Sequence, residues 1–347
     1  MQAAIHHQFG APQVLQMQEV EPPAVGDDQI LVQVHASPVT QGDRRLRAAD
    51  FPGIGAVVGR LMFGVLRPRY PIPGTMFAGK VVAVGPKVTR FSVGDDVFGS
   101  CDSGAQAEYL AVGQDSAVAT IPEGIGYDEA AATPYGAGTA LGFLRDVAKV
   151  QAGERVLIVG AAGGVGRFAV QIARHLGAHV TGVCRGRDAA MVTELGAHEV
   201  IDYTQQDYTR GGEIYDVIFD TASGDGFRTA KASLSERGRY VTLYMNLRTV
   251  FQMLVTAILG GPKVAASVVV GSQALTQDVA ELLACGAIWP VIGARLPLAR
   301  IADAHARLET GGTAGAVVVS VSDAVRSGAR RDGPTDELAA ARLKRTA

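Results

Sequence analysis

The feature that most constrains the fold is a turn of small residues between an apolar run and an amphipathic segment. Residues 156–159 (Val-Leu-Ile-Val) lead into 160–166 (Gly-Ala-Ala-Gly-Gly-Val-Gly), and an amphipathic stretch follows at 167–173. This order is typical of a buried strand, a tight turn and a helix. Because the free N–H groups and the positive dipole end of such a helix face the turn, an anion is favoured there. The sequence therefore predicts a site for the pyrophosphate of a dinucleotide.

The pattern around this turn predicts a parallel sheet inserted into a β-rich unit. Further parallel strands are predicted at residues 179–184, 199–203, 215–220, 239–243 and 264–270, with helices between them. Short strand-like runs and turns fill the chain before residue 122, and strand patterns return at 288–298 and 316–321. We predict an α/β fold with a doubly wound parallel sheet over 127–285, a β-rich unit over 1–126 and 286–321, and a loosely ordered tail over 322–347. The cleft between the two units is the expected ligand site.

The amino-acid composition limits the classes of function that the chain can have. The 347 residues suffice for two domains, and a net charge of −2 gives no electrostatic support for a nucleic-acid partner. Three widely spaced cysteines without a C-x-x-C pair predict reduced thiols and a cytoplasmic protein, and the first residues lack the pattern of a signal peptide. The apolar stretch 250–270 is interrupted by Gly-Gly-Pro-Lys, so it is too broken to span a membrane. We therefore expect a small-molecule substrate, with no nucleic-acid or membrane partner.

Several motifs in a fixed order resemble a known family. They are Phe-Ala-Gly-Lys-Val-Val-Ala-Val-Gly at 77–85, Arg-Phe-Ser-Val-Gly-Asp-Asp-Val-Phe-Gly at 90–99, Gly-Ala-Gln-Ala-Glu-Tyr at 104–109, and the glycine turn. Together they resemble the medium-chain dehydrogenase/reductase superfamily, and within it the zinc-independent quinone oxidoreductase branch. The resemblance extends over roughly residues 1–321. It implies a GroES-like catalytic domain, a Rossmann domain for a nicotinamide cofactor, and a homodimer.

The positions of the family's zinc ligands predict that no metal is bound. Zinc-containing relatives use a Cys, a His-Glu pair and a further Cys or His, and the resemblance places Thr40, Thr75 with Met76, and Gly136 there. None of these side chains offers a thiolate or an imidazole. Without a Lewis acid, the expected acceptor is a quinone or an α,β-unsaturated carbonyl, because the charge of an added hydride spreads onto an oxygen.

Two cations indicate which dinucleotide is bound. Arg185 and Arg187 follow the second predicted strand, where an NAD site normally presents an acid to the ribose 2′-OH. Both arginines can form charge-assisted bonds to a 2′-phosphate, which predicts NADPH as the cofactor. The alternative is that the arginines are solvated loop charges. The nearby Asp188 is interpreted as a helix cap. The remaining cofactor-binding candidates come from the turn and the resemblance: Thr139, Ala162, Gly163, Gly164, Val165, Tyr203, Thr221 and Leu243.

Two residues are candidates for a role in proton transfer. The resemblance implies Tyr70 as a proton donor, with a packing role as the alternative, and Asp43 as a family acid that orients its loop. Solvent is a further proton source, and the substrate pocket is expected to be lined by residues 51–69 and 244–259. The predicted function is an NADPH-dependent quinone or enone reductase. Two alternatives stay open: an enoyl-thioester or 2-alkenal reductase of secondary metabolism, and a non-catalytic NADPH-binding sensor.

Overall fold

A computed structural model describes residues 1–51, 55–222, 226–311 and 314–322. The strands, in chain order, are β1 (Gln2–Ile5), β2 (Gln16–Glu19), β3 (Gln29–Val39), β4 (Met76–Val84), β5 (Asp96–Ser100), β6 (Tyr109–Gly113), β7 (Val118–Thr120), β8 (Arg155–Val159), β9 (His179–Cys184), β10 (Glu199–Asp202), β11 (Tyr215–Asp220), β12 (Leu234–Thr242), β13 (Lys263–Ala266), β14 (Ile292–Pro297) and β15 (Ala316–Ser320). The α-helices are α1 (Gln41–Ala48), α2 (Gly55–Phe63), α3 (Tyr127–Ala132), α4 (Pro134–Leu141), α5 (Gly166–His175), α6 (Ala189–Glu194), α7 (Phe227–Ala230), α8 (Leu247–Ile258), α9 (Gln273–Ala284) and α10 (Ile301–Thr310). Apart from residue 322, the predicted tail lies outside the described residues.

Six parallel strands form the sheet that the glycine turn predicted. Their order is β10-β9-β8-β11-β12-β13, so the chain winds outward in both directions from β8. This doubly wound order confirms the predicted Rossmann fold. Two predicted strand boundaries are wrong: β12 begins at Leu234 rather than 239, and β13 ends at Ala266 rather than 270. Val268 and Val270 are about three-quarters exposed (72% and 75%), and no described strand pairs with them. The β-branched side chains of these residues favour a strand in the sequence, but pairing with a neighbour is what forms one.

Strands from both ends of the chain share a second sheet. Its order is β14-β15-β3-β4-β5-β7, with β6 paired to β3. The late strand β15 lies antiparallel to the early strand β3, from the pair 317 and 39 to the pair 320 and 36. On this basis we propose the division into a discontinuous GroES-like unit (1–126 and 286–321) around the parallel-sheet unit (127–285).

The largest apolar core lies where helices cover the parallel sheet. Helix α5 buries eight consecutive residues, and the rings of Phe143 and Phe219 stack at 5.2 Å between centroids. Core residues of α3 and α4 join those of α5 in the same cluster. Burial of this apolar area, which contributes about 25 cal/mol per Å², holds α5 against β8 and β9 and α4 against α5.

Candidate functional site

The glycine turn brings the start of α5 very close to the end of β8. Gly160 has φ +80°, and the N–H of Gly163 donates to the Gly160 carbonyl at 2.9 Å. A Cβ on Gly166 would lie 2.8 Å from the Gly160 carbonyl carbon, 2.9 Å from the Ala161 Cα, and closer still to the Gly160 oxygen. Only glycine fits at 166, because the backbone of the helix and that of the turn are in contact.

The outer side of the same turn is open. Gly163 and Gly164 are exposed, and a Cβ on Gly164 would have no atom within 4 Å. Val165, at the N-cap of α5, makes no side-chain capping bond, so the first N–H groups of the helix face this space, next to Ala162. The Arg167 N–H already donates to the Gly163 carbonyl at 3.0 Å, so the backbone N–H groups beside it at the N-terminus of this ten-residue helix are the ones that fit the pyrophosphate of a dinucleotide.

Two more of the cofactor candidates lie at strand ends beside the turn. The Thr221 N–H donates to the Val159 carbonyl at 3.0 Å, and its hydroxyl donates to the same oxygen at 2.8 Å. Leu243 donates its N–H to the Asp220 carbonyl at 3.3 Å. Thr221 and Leu243 thus line the carboxyl edge of the sheet, which is the edge where ligands bind in open α/β folds.

The two predicted phosphate-binding arginines lie on the surface at the end of β9. Arg185 Nε donates to the Tyr203 hydroxyl at 2.6 Å, and the Tyr203 N–H donates to the Cys184 carbonyl at 3.1 Å. Arg187 Nε lies 3.7 Å from an Asp188 carboxylate oxygen. The interpretation of Asp188 as a helix cap is wrong: it occupies the N-cap of α6, but its side chain makes no capping bond.

A third cation next to the turn was missed by sequence reasoning. Arg167 is 7% exposed, and its Nη1 donates to the Ala162 carbonyl at 3.3 Å. Burial lowers the pKa of its guanidinium to about 10, and the Asp188 charge opposes this shift. The signal available in the sequence was a basic residue directly after the last glycine of the turn, where the helix packs against the sheet.

Asp43 joins the two threonines that stand at the family's metal-ligand positions. One carboxylate oxygen accepts from the Thr40 N–H at 2.8 Å and the Thr40 hydroxyl at 2.6 Å. The other accepts from the Thr75 N–H at 3.0 Å and the Thr75 hydroxyl at 2.9 Å. Full burial raises the pKa of the Asp43 carboxyl, and the bonds from both threonines oppose the rise. The carboxylate thereby holds the start of α1 against the strand β4, with its hydrogen-bonding capacity used on backbone and hydroxyl groups.

At the third of these positions, the neighbouring residue Tyr135 is the one that lies against α1. A Cβ on Gly136 would lie 2.5 Å from the Gly164 carbonyl oxygen and 2.5 Å from the Phe168 ring, so this position faces the glycine turn. The ring of Tyr135 instead lies beside Gly42, with 3.7 Å between its Cε2 and a Cβ built on that glycine. Tyr135 was not among the sequence-based candidates, although it lies one helical turn before Thr139 on α4.

The surroundings of Tyr135 are polar and charged. Burial raises the pKa of its phenol, the Arg45 charge opposes the rise, and Asp43 and Tyr244 add to it. Thr139 donates its hydroxyl to the Tyr135 carbonyl at 2.7 Å, which places these two residues on one face of α4. Charged and polar side chains of α1, and Tyr244 two residues after β12, thus act on the phenol of this α4 residue.

Tyr70 lies at a different cleft, within the β-rich unit. It is 39% exposed, and the cleft is lined by Tyr70, His6, Phe63, Pro68, Asp43 and Gly74, among others. Part of the predicted 51–69 lining therefore reaches this cleft, whereas residues 52–54 lie outside the described residues. A second cavity, of about 220 Å³, opens at the carboxyl ends of β11 and β12 and is lined by Tyr244, Asn246, Arg248 and Gln252 of the predicted 244–259 lining.

The histidines and cysteines offer no metal-ligand cluster. His175 is exposed, and His179 stacks on His198 with 4.2 Å between ring centroids. Cys101, Cys184 and Cys285 are free thiols. In the part of the chain that the structure describes, no three side chains of His, Cys, Asp or Glu group closely enough to hold a metal ion. Threonine hydroxyls already engaged by Asp43 do not fit the donor set of a zinc site.

Comparison with known proteins identifies the family. A model described as alcohol dehydrogenase GroES-like domain matches residues 26–157, and one described as zinc-binding dehydrogenase matches 195–319. The quinone oxidoreductase of Homo sapiens is 30% identical over 321 residues, covering 88% of this chain and 93% of that protein. The chain belongs to the quinone oxidoreductase-like medium-chain dehydrogenases/reductases.

Other members of this family are similar along most of the chain. The 2-methylene-furan-3-one reductase of Solanum lycopersicum is 28% identical, covering 92% of this chain and 79% of that protein. The structure of the quinone oxidoreductase from Coxiella burnetii superposes with a TM-score of 0.81 at 26% identity, covering 93% of this chain and 99% of the other. The predicted family is therefore confirmed, and members of it bind a nicotinamide cofactor. No helix among the described residues has the length and apolar character needed to cross a bilayer.

Proposed function

We propose that this chain is an NADPH-dependent reductase that transfers a hydride to a quinone or an α,β-unsaturated carbonyl without a metal. The observation that carries the proposal is the pairing of Thr40 and Thr75 with the buried Asp43, in a chain that also has an open dinucleotide turn. Where zinc-containing relatives place ligands, this chain has hydroxyls committed to a carboxylate. The acceptor must therefore be one that stabilises added negative charge by its own conjugation.

The chain's own residues bind and orient, while the cofactor supplies the hydride when it is bound. The N–H groups at the start of α5 would hold the pyrophosphate. Thr221 and Leu243 would lie beside the cofactor where it follows the edge of the sheet. Thr139 on α4 would contact the nicotinamide end. Holding both reactants in a near-attack geometry removes much of the entropic barrier to hydride transfer.

Three cations around the end of β9 support NADPH over NADH. Arg185, which is bonded to Tyr203, and Arg187 are exposed, and Arg167 is buried against the turn without a carboxylate within salt-bridge distance in the described residues. A 2′-phosphate would bring charge-assisted bonds to this group. The alternative of solvated loop charges predicts equal affinity for NADPH and NADH.

The cofactor proposal is tested by the double change Arg185→Ala and Arg187→Ala. We expect NADPH binding to weaken by about 2–4 kcal/mol, because bonds to charged groups contribute that much without adding fully. NADH affinity should stay within about twofold, since NADH lacks the phosphate. The matched control is Arg210→Ala, an arginine whose side chain is 86% exposed and, among the described residues, forms an ion pair with Asp207 alone. Unchanged NADPH affinity in the double variant would refute the assignment.

The reaction is tested by NADPH oxidation with a panel of quinones, enones, 2-alkenals and enoyl thioesters. The names of the relatives, quinone oxidoreductase and 2-methylene-furan-3-one reductase, support activated acceptors of the first two kinds. Preferred turnover of enoyl thioesters or 2-alkenals would favour the alternative reductase. Tight NADPH binding with no turnover on any acceptor would favour the sensor. A cytoplasmic location remains a prediction, because the relatives include chloroplastic and mitochondrial proteins.

We also propose a homodimer formed through α8 and the edge of the parallel sheet. β13 pairs with β12, and no described strand covers its other edge. The adjoining α8 segment exposes a row of large apolar side chains: Leu247, Phe251, Leu254, Ile258 and Leu259. An apolar patch of this kind marks an interaction surface. Leu254→Glu with Ile258→Glu should yield a monomer by light scattering, and an unchanged molar mass would refute the proposed interface.

A further inference from the structure

We propose that Tyr135 and Arg45 form an oxyanion-binding site for the reduced acceptor, with Tyr135 as its proton donor. The site would take an enolate or a phenolate, which is the anion that hydride addition to an enone or a quinone produces. The inference rests on the proposed function, because it assigns residues to the charge that the proposed reaction creates.

The two residues lie on helices of the two units, Tyr135 on α4 and Arg45 on α1. Tyr135 lies on α4, which packs against the glycine turn, and its ring lies beside Gly42 at the start of α1. Arg45 lies three residues further along α1. Tyr244, directly after the sheet-edge residue Leu243, adds to the rise in the pKa of the Tyr135 phenol. An acceptor positioned near Thr139 and Leu243 would therefore have its oxygen next to the phenol and the guanidinium.

Arg45 differs from the other arginines of α1 in being available to a ligand. Arg44 donates to Asp50 through both terminal nitrogens, at 2.9 and 2.8 Å. Arg47 is buried and bonds the Gly10 carbonyl at 3.0 Å and the Glu309 carboxylate. Arg45 is half-buried, and in the described part of the chain its guanidinium has neither an ion pair nor a side-chain hydrogen bond. A half-buried cation of this kind offers its charge and five N–H donors to an anion.

The Tyr135 phenol is likewise free to donate. Within the part of the chain that the structure describes, Tyr135 receives one hydrogen bond from a side chain, which goes from the Thr139 hydroxyl to its backbone carbonyl. Among the described residues its hydroxyl has no acceptor. Because burial keeps the phenol protonated, its O–H is a hydrogen-bond donor at neutral pH. Asp43 nearby is fully engaged by Thr40 and Thr75, so it does not compete for this proton.

The proton and electron balance of the step is simple. The hydride adds to the β-carbon of the enone, the C=C electron pair moves into the new C=C bond of the enolate, and the carbonyl pair moves onto oxygen. Tyr135 donates its hydrogen bond and then its proton to that oxygen, Arg45 balances the charge, and the tyrosinate regains a proton from water. With a quinone, the same proton converts the phenolate to the hydroquinone. Donors placed where charge develops lower the barrier most.

The first test measures kcat and KM for the acceptor in Tyr135→Phe and Arg45→Gln. We expect kcat to fall about 10²-fold for each, as for removal of an oxyanion donor, with a much smaller change in KM for NADPH. The matched controls are Tyr109→Phe on β6 and the neighbouring Arg44→Gln, which should keep kcat within about twofold. Tyr70→Phe is measured beside them, and a loss of kcat confined to that variant would overturn the proposal.

The second test uses 4-nitrophenol, whose phenolate absorbs near 400 nm, with the NADP⁺ complex of the full chain. We expect saturable binding with a rise in phenolate absorbance, competitive with the acceptor, and at least about tenfold weaker in Tyr135→Phe and Arg45→Gln. Equal phenolate binding in both variants and in wild type would overturn the proposal. If wild type binds the phenolate through these residues but reduces no acceptor, the site stands and the proposed function fails.

Discussion

The glycine turn allows two neighbouring substitutions with opposite expected effects. Gly166→Ala adds a methyl group where its nearest atoms belong to the backbone of Gly160 and Ala161, at 2.8–2.9 Å and less. Gly164→Ala adds the same methyl group two residues earlier, where it would meet nothing within 4 Å. The first change forces α5 away from β8. The second leaves the protein's own packing untouched and fills only the space that a ligand would occupy.

The magnitudes follow from these distances. Overpacking against backbone at Gly166 costs about 1–3 kcal/mol, and α5 cannot rotate away because eight of its residues are buried. For a unit of this size, each kcal/mol lowers Tm by roughly 2–4 °C. Gly164→Ala should instead raise stability by up to about 1 kcal/mol, since alanine has fewer unfolded conformations. Its methyl group should weaken NADPH binding by at least about 1.4 kcal/mol, a factor of ten, by blocking close approach of the pyrophosphate.

Two assays separate these effects. Thermal unfolding without cofactor measures stability, and titration of NADPH fluorescence measures its affinity for each variant. The expected pattern is a lower Tm for Gly166→Ala, and an unchanged or higher Tm with weaker NADPH binding for Gly164→Ala. Wild-type NADPH affinity in a stable Gly164→Ala variant would refute the reasoning, because the cofactor would then not approach the turn at this residue.

Two further predictions concern buried titratable groups. Asp43→Asn should lower the free energy of unfolding by about 1–3 kcal/mol, because the new amide nitrogen would face the hydrogen-bond donors of Thr40 or Thr75. The surface control Asp50→Asn should change it by less than about 0.5 kcal/mol. Equal effects of the two changes in urea denaturation would contradict this prediction. Burial, with the charges of Arg47 and His6, lowers the pKa of His305 to about 3 in the folded protein. In the unfolded chain the pKa is the ordinary 6.5, so between pH 6.5 and 3 the unfolded state binds a proton that the folded state does not. Stability should therefore fall as pH drops from 6.5 towards 3, by up to about 1.4 kcal/mol per pH unit from this group, and His305→Gln should make that slope shallower in urea denaturation at pH 6.5, 5.5 and 4.5. An unchanged slope would show that His305 is protonated in the folded protein.

The parts of the site that depend on local sequence could be predicted. The turn at 160–166, the strands beside it and the cations at Arg185 and Arg187 follow from short-range patterns: an apolar run, small residues and a charge at a fixed distance. The fold follows from the repetition of such patterns. Helix and strand ends were less certain, as the exposed Val268 and Val270 illustrate, because pairing rather than propensity decides where a strand stops.

The parts of the site that depend on tertiary contacts could not be predicted from the sequence. Asp43 was assigned to orienting its loop, but its link to Thr75 joins residues 32 positions apart. The approach of the Tyr135 ring to Gly42, at the start of the helix that carries Arg45, joins α4 to α1, and no spacing in the sequence encodes that. Arg167 looked like an ordinary helix residue until the packing of α5 showed that it is buried. Such groups are recognised by their burial and by the residues around them, which only the folded chain reveals.

The central claim is that a hydride passes from the cofactor to an activated acceptor without a metal. The most direct measurement uses NADPH carrying deuterium on the transferable C4 position, with enzyme dialysed against a strong chelator and an enone as acceptor. We expect one deuterium at the β-carbon of the product per NADPH consumed, at the rate of undialysed enzyme. Product without deuterium, or activity that disappears on dialysis and returns with Zn²⁺, would contradict the account.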